Sequence, residues 1–182
     1  MSYRGSHLIV PGLYDEDLED PVKSIEDVDS AGANVSILDL EDGVGSSNKA
    51  RARTTTIESL DSWIDQTATT VIRINGLDTP ECFEDMRAIA NAPTLPDAVM
   101  VPEVARAEDI RTIAQYIEAH ELSLGIVPLV ERPSAVLNLH SIATADSRVE
   151  ALVFGDYDFR RHMGISTREK HPETLVPRYA IS

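Results

Sequence analysis

The chain has very little cysteine. Cys82 is the only cysteine among 182 residues, so no internal disulfide bond can form. A zinc cluster and a cysteine-based redox pair also need more thiols than the sequence supplies. The composition therefore excludes a disulfide-stabilised scaffold and fits a reducing compartment.

Long hydrophobic runs are missing as well. The apolar stretch before Pro11 is too short for the core of a signal peptide, and no later run reaches membrane-spanning length. We therefore expect a soluble, cytoplasmic protein without a membrane partner.

Positive charge is scarce. Lysine and arginine together number 16 against 31 aspartates and glutamates, which leaves a formal net charge of −15. Binding to nucleic acid needs a basic face, because phosphate contacts supply much of that affinity. The sequence therefore predicts no nucleic-acid partner.

Short apolar runs occur six times, and each ends in acidic, basic or turn residues. At intervals of roughly 25 to 35 residues they alternate with stretches of helical spacing, which is typical of βα units around a parallel sheet. A barrel is the leading architecture. The predicted strands cover 7–10, 35–40, 70–74, 98–101, 124–129 and 151–154, and the predicted helices cover 21–31, 46–65, 80–91, 107–119 and 133–143.

The chain is short for a complete barrel, which typically needs about 250 residues. After the sixth strand we predict a polar stretch over 160–172 and the start of another helix over 173–182. We interpret 1–182 as a single, incomplete TIM-barrel domain of the α/β class. It would supply about the first six βα units of a (β/α)₈ barrel, with the C-terminal units missing. An open sheet is the alternative, and its unpaired edges would invite association.

Charged residues follow the predicted strands directly. In a barrel, the residues after each strand meet at one face, where active sites are built. This placement favours an enzyme, and the residues that we expect to converge are Glu41, Asp42, Arg73, Glu103, Glu131 and Asp158.

Five motifs, each at a predicted strand end, carry a resemblance that covers nearly the whole chain. They are LDLEDGV followed by Lys49 and Arg53, then VIRIN, VMVPEV, VPLVE and LVFG-x-x-D-F. As an ordered set they resemble the HpcH/HpaI aldolase/citrate lyase family, and most closely its CitE-like branch. That branch contains the citrate lyase β subunit and relatives that cleave malyl-CoA or citramalyl-CoA. The resemblance implies a (β/α)₈ barrel, a homo-oligomer (trimer or hexamer), and Mg²⁺-dependent making or breaking of a carbon–carbon bond.

The resemblance also implies roles for particular residues. Cleavage of a 3-hydroxyacyl thioester, carried by CoA or an acyl carrier, leaves a thioester enolate and a 2-oxo acid, so negative charge must be stabilised in two places. Glu131 and Asp158 match the family's metal-binding carboxylates, as suits Mg²⁺. Arg73 matches the arginine that stabilises the enolate oxygen. Glu41 and Asp42 match the acidic pair that orients the arginine and a water molecule.

Two other functions remain open. An HpaI-type class II aldolase acts on a free hydroxy-oxo acid at the same kind of metal site, but carries histidine where this chain has Asp42. Asp42 therefore favours the CitE-like branch. The other alternative is a truncated, non-catalytic barrel remnant that packs against a partner chain.

Two positions depart from the family pattern. Glu103 stands where the family usually has lysine, and we interpret it as a solvated residue at the rim. Arg132 stands where threonine is common, and it either restores positive charge or points outward. Three further interpretations are structural: Asp39 as a buried hydrogen-bonding group, Cys82 as inert, and a basic patch as a solvated helix and loop. That patch contains Arg160, Arg161, His162, Arg168, Lys170 and His171.

Overall fold

The computed structural model describes residues 7–11, 34–66 and 69–165. The helices predicted over 21–31 and 173–182, and most of the polar stretch, lie outside the described residues. The chain forms two compact units. Unit 1 comprises Met1–Val99 with Leu122–Leu124, and unit 2 comprises Met100–Glu121 with Gly125–Ser182. The expectation of one domain stays a prediction.

Unit 1 contains three parallel strands in chain order. They are β1 (His7–Pro11), β2 (Val35–Asp39) and β3 (Thr70–Arg73), and the register places Ser36 opposite Thr70. Every residue of β2 and β3 is buried. Parallel strands that are covered on both faces have nearly continuous apolar sequences, which is why short unbroken runs predicted them.

The strand β4 (Ala98–Val101) begins in unit 1 and ends in unit 2. Asp97, which precedes it, is joined to the start of β3 by two hydrogen bonds. The Thr70 N–H donates to Asp97 Oδ2 at 2.7 Å, and the Asp97 N–H donates to the Thr70 carbonyl at 2.9 Å. All four residues of β4 are buried, and its bounds match the prediction.

The helices of unit 1 are α1 (Lys49–Gln66), which follows a 3₁₀ turn over Ser46–Asn48, and α2 (Glu81–Ala90). Both agree with the predicted helices to within a few residues. The residues of α2 at helical spacing, Cys82, Met86 and Ile89, are buried, so one stripe of this helix faces the core.

Burial makes Cys82 unreactive. Burial itself and then the carboxylates of Asp85 and Asp78 raise the pKa of this thiol to about 12. Because only the thiolate attacks electrophiles, about one molecule in ten thousand is reactive near pH 8. We expect iodoacetamide to leave Cys82 unmodified in the native protein and to alkylate it fully in concentrated urea, as read by mass spectrometry. Rapid labelling of the native protein would contradict the buried position.

Unit 2 contains α3 (Ala107–Ala119), β5 (Gly125–Val130) and β6 (Val153–Phe154). The bounds of α3 match the prediction. Its N-terminus is closed by Asp109, whose Oδ2 accepts the N–H groups of Ala105 at 2.8 Å and Arg106 at 3.0 Å. The strands β5 and β6 are parallel. The alternation of parallel strands and helices confirms the predicted α/β class.

The helix predicted over 133–143 is two short helices, α4 (Pro133–Leu137) and α5 (Leu139–Ala143). Asn138 separates them with non-helical dihedral angles, φ −111° and ψ 10°. Its side-chain amide donates to the carbonyl of Ala105 at 3.0 Å, a tertiary contact that helical periodicity does not reveal.

The helix α6 (Asp156–Met163), which no predicted helix range covers, follows β6. It includes the first residues of the predicted polar stretch, where we interpreted the basic patch as a solvated helix and loop. Acidic residues occupy its first turn and basic residues its last, which complements the helix dipole. Gly164 closes it in the left-handed conformation, φ 67°. Among the described residues, no helix has both the length and the hydrophobicity to cross a bilayer.

Candidate active site

A buried ion pair joins the ends of two neighbouring strands in unit 1. Asp39 and Arg73 are the last residues of β2 and β3 and lie opposite each other in the register. The guanidinium donates twice, from Nε to Oδ1 at 2.7 Å and from Nη2 to Oδ2 at 2.6 Å. Such a bidentate pair sets the orientation of the arginine as well as its position.

Asp39 also organises the loop that follows β2. Its two carboxylate oxygens accept the N–H groups of Glu41 and Gly43, each at 2.8 Å. The side chain is 1% exposed. The interpretation of Asp39 as a buried hydrogen-bonding group is confirmed, and its contact with Arg73 follows from a register that sequence reasoning did not supply.

Glu41 is a second carboxylate against Arg73. Its Oε2 lies 3.0 Å from Arg73 Nη1 and also accepts the N–H of Asp42 at 3.1 Å. Burial raises the pKa of Glu41, an effect that Arg73 opposes and the negative charge of Asp42 reinforces. The structure therefore brings two predicted residues together, Glu41 and Arg73, whereas the predicted Asp42 is exposed.

Lys49, at the start of α1, holds the same loop from the other side. Its Nζ donates to the carbonyls of Leu40 at 2.8 Å and Glu41 at 2.7 Å. The sequence motif contained Lys49, but spacing alone did not indicate that its partners are backbone carbonyls. Three elements of unit 1 thus fix the acidic loop: β2, β3 and α1.

Arg53, the other basic residue of that motif, has a structural contact. Its Nε lies 2.7 Å from Asp85 Oδ1, and Asp85 Oδ2 accepts both the N–H and the side-chain amide of Asn75. Burial raises the pKa of Asp85 in spite of these partners. Arg53 therefore links α1 to α2.

Glu131 is a buried carboxylate in unit 2, directly after β5, and is 3% exposed. Its Oε2 accepts the N–H of Glu103 at 2.9 Å. The carboxylate also lies against Gly155, since a Cβ built there would stand 2.5 Å from Glu131 Cγ and 2.7 Å from Oε1. Only glycine fits at position 155 with Glu131 in this orientation.

Asp158 lies three residues beyond Gly155, in the first turn of α6, and is 9% exposed. Its Oδ1 is buried and accepts no hydrogen bond from the described residues, although Arg161 Nη1 lies 3.4 Å away. Asp156 Oδ2 accepts a bond from Arg160 Nε at 2.9 Å, while its Oδ1, like Asp158 Oδ1, is buried and accepts no hydrogen bond from the described residues. A buried carboxylate oxygen without a hydrogen bond needs an explanation, and a bound cation is one.

The donor set of Glu131 and Asp158 fits Mg²⁺. Among the described residues no group of three or more His, Cys, Asp or Glu side chains could hold a metal by itself. A structural zinc site needs four protein ligands, whereas Mg²⁺ commonly takes one or two carboxylates with water and substrate oxygens. Two buried carboxylates, one packed against Gly155 and the other three residues after it, therefore suit Mg²⁺ better than zinc.

The two departures from the family pattern, Glu103 and Arg132, contact each other. Arg132 Nε donates to Glu103 Oε2 at 2.5 Å, and His162 Nε2 lies 2.9 Å from Glu103 Oε1. Burial acts to raise the pKa of Glu103, but the hydrogen bonds of His162 and Arg132 outweigh it and leave that pKa lowered. The expectation that Glu103 is merely solvated is wrong, and Arg132 is turned toward this carboxylate. We call Glu103, Arg132 and His162 the charge cluster.

Comparison with known proteins identifies the family. The family model described as "HpcH/HpaI aldolase/citrate lyase" matches residues 19–182. The chain belongs to this family. The predicted resemblance is therefore confirmed, and the chain is a member of a family that contains thioester lyases.

Two curated relatives of this HpcH/HpaI family member are lyases. Human mitochondrial citramalyl-CoA lyase is 28% identical over 174 residues, which cover 87% of this chain and 51% of the relative. The L-malyl-CoA/beta-methylmalyl-CoA lyase of Cereibacter sphaeroides is 31% identical over 149 residues, covering 78% of this chain and 47% of the relative. The chain thus spans about half the length of these relatives.

A solved structure extends the likeness to the fold. The protein CitE from Mycobacterium tuberculosis, in complex with magnesium and pyruvate, is 26% identical with a TM-score of 0.75. The match covers 97% of this chain and 66% of CitE. The HpcH/HpaI family member therefore shares the α/β fold of CitE over about two thirds of the length of that protein.

Proposed function

We propose that the protein is a Mg²⁺-dependent carbon–carbon lyase. Its substrate would be a 3-hydroxyacyl thioester, of the citryl-, malyl- or citramalyl-CoA kind, and its products an acetyl thioester and a 2-oxo acid. The observation that carries the proposal is the buried Asp158 Oδ1, which accepts no hydrogen bond and follows the glycine against which Glu131 packs. The names of the relatives, both CoA-thioester lyases, support the substrate class.

The reaction breaks the bond between the second and third carbons of the acyl group. The hydroxyl on the third carbon loses its proton and becomes the carbonyl of the 2-oxo acid. The bonding electron pair moves to the second carbon and forms the thioester enolate, which then takes up a proton. Negative charge therefore develops on the thioester oxygen, and a fixed cation there lowers the barrier.

Arg73 is suited to that task because its orientation is set before substrate binds. Asp39 holds two of its nitrogens and Glu41 lies against the third. Because Arg73 is already oriented, no free energy is needed to reorient it during the reaction. Glu131 and Asp158 would hold Mg²⁺, which supplies Lewis-acid polarisation of substrate oxygens when it is bound. Asp42 would orient water beside Glu41.

The remaining expectations about this protein are proposals of the same kind. We propose a cytoplasmic homo-oligomer, trimer or hexamer. The partners would be a thioester of CoA or an acyl carrier and a 2-oxo acid. Size-exclusion chromatography with light scattering measures the oligomeric state directly.

A substrate comparison tests the proposal. The chain is incubated with malyl-CoA, with citramalyl-CoA and with a free hydroxy-oxo acid, each with MgCl₂ and with EDTA. We expect 2-oxo acid to be released from a thioester, and EDTA to stop the release, since the metal is required. Cleavage of the free acid alone would indicate an aldolase instead. Association without metal binding or turnover would indicate a non-catalytic remnant.

A further inference from the structure

Glu103 has an unusual backbone conformation. Its φ is 55°, in the left-handed region that non-glycine residues seldom adopt. A residue is kept there only when its surroundings hold it, and such residues are enriched at functional sites without being confined to them, as Glu121 with φ 54° shows. The contacts that hold Glu103 are therefore informative.

The backbone of Glu103 serves Glu131. The Glu103 N–H donates to Glu131 Oε2 at 2.9 Å, while the rest of that carboxylate packs against Gly155. Glu131 is thus restrained on two sides within unit 2. The hydrogen bond depends on the direction of the Glu103 N–H, and hence on its left-handed turn.

The side chain of Glu103 is held by the rest of the charge cluster. Arg132, the residue after Glu131, donates from Nε at 2.5 Å. His162 Nε2 lies 2.9 Å and 3.0 Å from the two carboxylate oxygens, and it belongs to α6, one turn beyond Asp158. The cluster therefore joins the loop after β4 to the elements that carry both candidate metal ligands.

We propose that Glu103 is a positioning residue: its carboxylate, held by Arg132 and His162, maintains the strained turn whose N–H orients Glu131 toward the cation. This inference rests on the proposed function, because it takes Glu131 as a metal ligand. Groups that orient metal ligands contribute to metal affinity, and their mutation typically weakens binding or activity by about 10- to 100-fold.

Calorimetric titration with MgCl₂ tests the inference. Glu103→Gln removes the charge that binds Arg132 and His162, and we expect its Kd for Mg²⁺ to rise about tenfold. Arg132→Gln should act in the same way. The double variant should bind Mg²⁺ no more weakly than either single variant, because each substitution disrupts the same charge cluster.

Two further variants separate positioning from general stability. Asp146→Asn is the matched control, since Asp146 forms a similarly exposed ion pair with Arg148 in unit 2. Its Kd should equal that of the unaltered chain. Glu103→Gly keeps the N–H and removes the steric cost of the left-handed turn. Because glycine adopts the turn without the carboxylate, this variant should bind Mg²⁺ more tightly than Glu103→Gln, and binding as weak as that of Glu103→Gln would count against the turn as the means of positioning.

The outcomes are distinguishable. If the unaltered chain binds Mg²⁺ and Glu103→Gln binds it equally well, the positioning role is overturned and the proposed function stands. If Asp146→Asn binds Mg²⁺ as weakly as Glu103→Gln does, the loss of affinity is general and the positioning role is also overturned. If the unaltered chain does not bind Mg²⁺, the metal site fails and the inference fails with it.

Discussion

Replacing Asp158 by asparagine abolishes Mg²⁺-dependent thioester cleavage and leaves the fold intact, if the proposed site is correct. The variant keeps the size of the side chain but removes the charge that a hard cation prefers. Loss of Lewis-acid stabilisation costs several kcal/mol, and each 1.4 kcal/mol is a factor of ten, so turnover should fall by about a thousandfold. Initial rates with malyl-CoA and citramalyl-CoA measure the effect, and calorimetry with MgCl₂ shows whether binding is lost in parallel.

The stability cost of Asp158→Asn should be small. The side chain lies in the first turn of α6, where loss of an acidic residue costs about 0.3–1 kcal/mol. Asp156→Asn is the matched control, since it makes the same change two residues earlier, at a side chain that accepts a bond from Arg160. It should retain turnover. Unchanged turnover in Asp158→Asn would contradict the assignment of Asp158 as a metal ligand. Loss of turnover in Asp156→Asn alone would show that Asp156 is the ligand instead.

Replacing Arg73 by glutamine should lower both stability and turnover. Asp39 is 1% exposed and would lose the guanidinium that compensates it. Breaking a buried ion pair in this way costs about 3–5 kcal/mol, which urea denaturation measures. Removal of a donor that stabilises developing charge costs about 10²- to 10³-fold in kcat. Rates should be compared at a temperature where the variant is folded.

A double variant separates these two effects. Asp39→Asn combined with Arg73→Gln removes both buried charges, while the asparagine carbonyl can still accept a backbone N–H from the loop. Replacement of a buried ion pair by neutral groups is often close to neutral for stability. We therefore expect the double variant to regain most of the lost stability and none of the turnover. If turnover returns with stability, Arg73 is a structural residue only.

Local signals were sufficient for most of the elements. The apolar runs of β2 and β3 are buried over their whole length, so they needed no knowledge of their neighbours to be recognised. The helix α3 has apolar residues at helical spacing and a capping aspartate, and both signals are contained within the helix and its flanks. The sequence did not predict the break at Asn138, whose side chain makes a tertiary hydrogen bond, or the bounds of α6, which ends at Gly164.

The candidate site was only partly predictable. Glu131 and Asp158 follow predicted strands, and the structure buries both, so their selection required only strand positions and the family motifs. The partners of these side chains were not predictable. Asp39 contacts Arg73 from 34 residues away, and Glu103 contacts Glu131 from 28 residues away. Sequence spacing carries no information about contacts of that kind.

The amino-acid sequence by itself determined the α/β class, the position of each described strand, the membership of the HpcH/HpaI family and the residue types available for chemistry. These depend on hydrophobic periodicity and on motifs a few residues long. Only the tertiary structure decided which charges meet: Arg73 with Asp39 and Glu41, and Glu103 with Arg132 and His162. The reason is physical, since parallel register and the path of the loops set distances between charged groups, and these distances are not encoded locally.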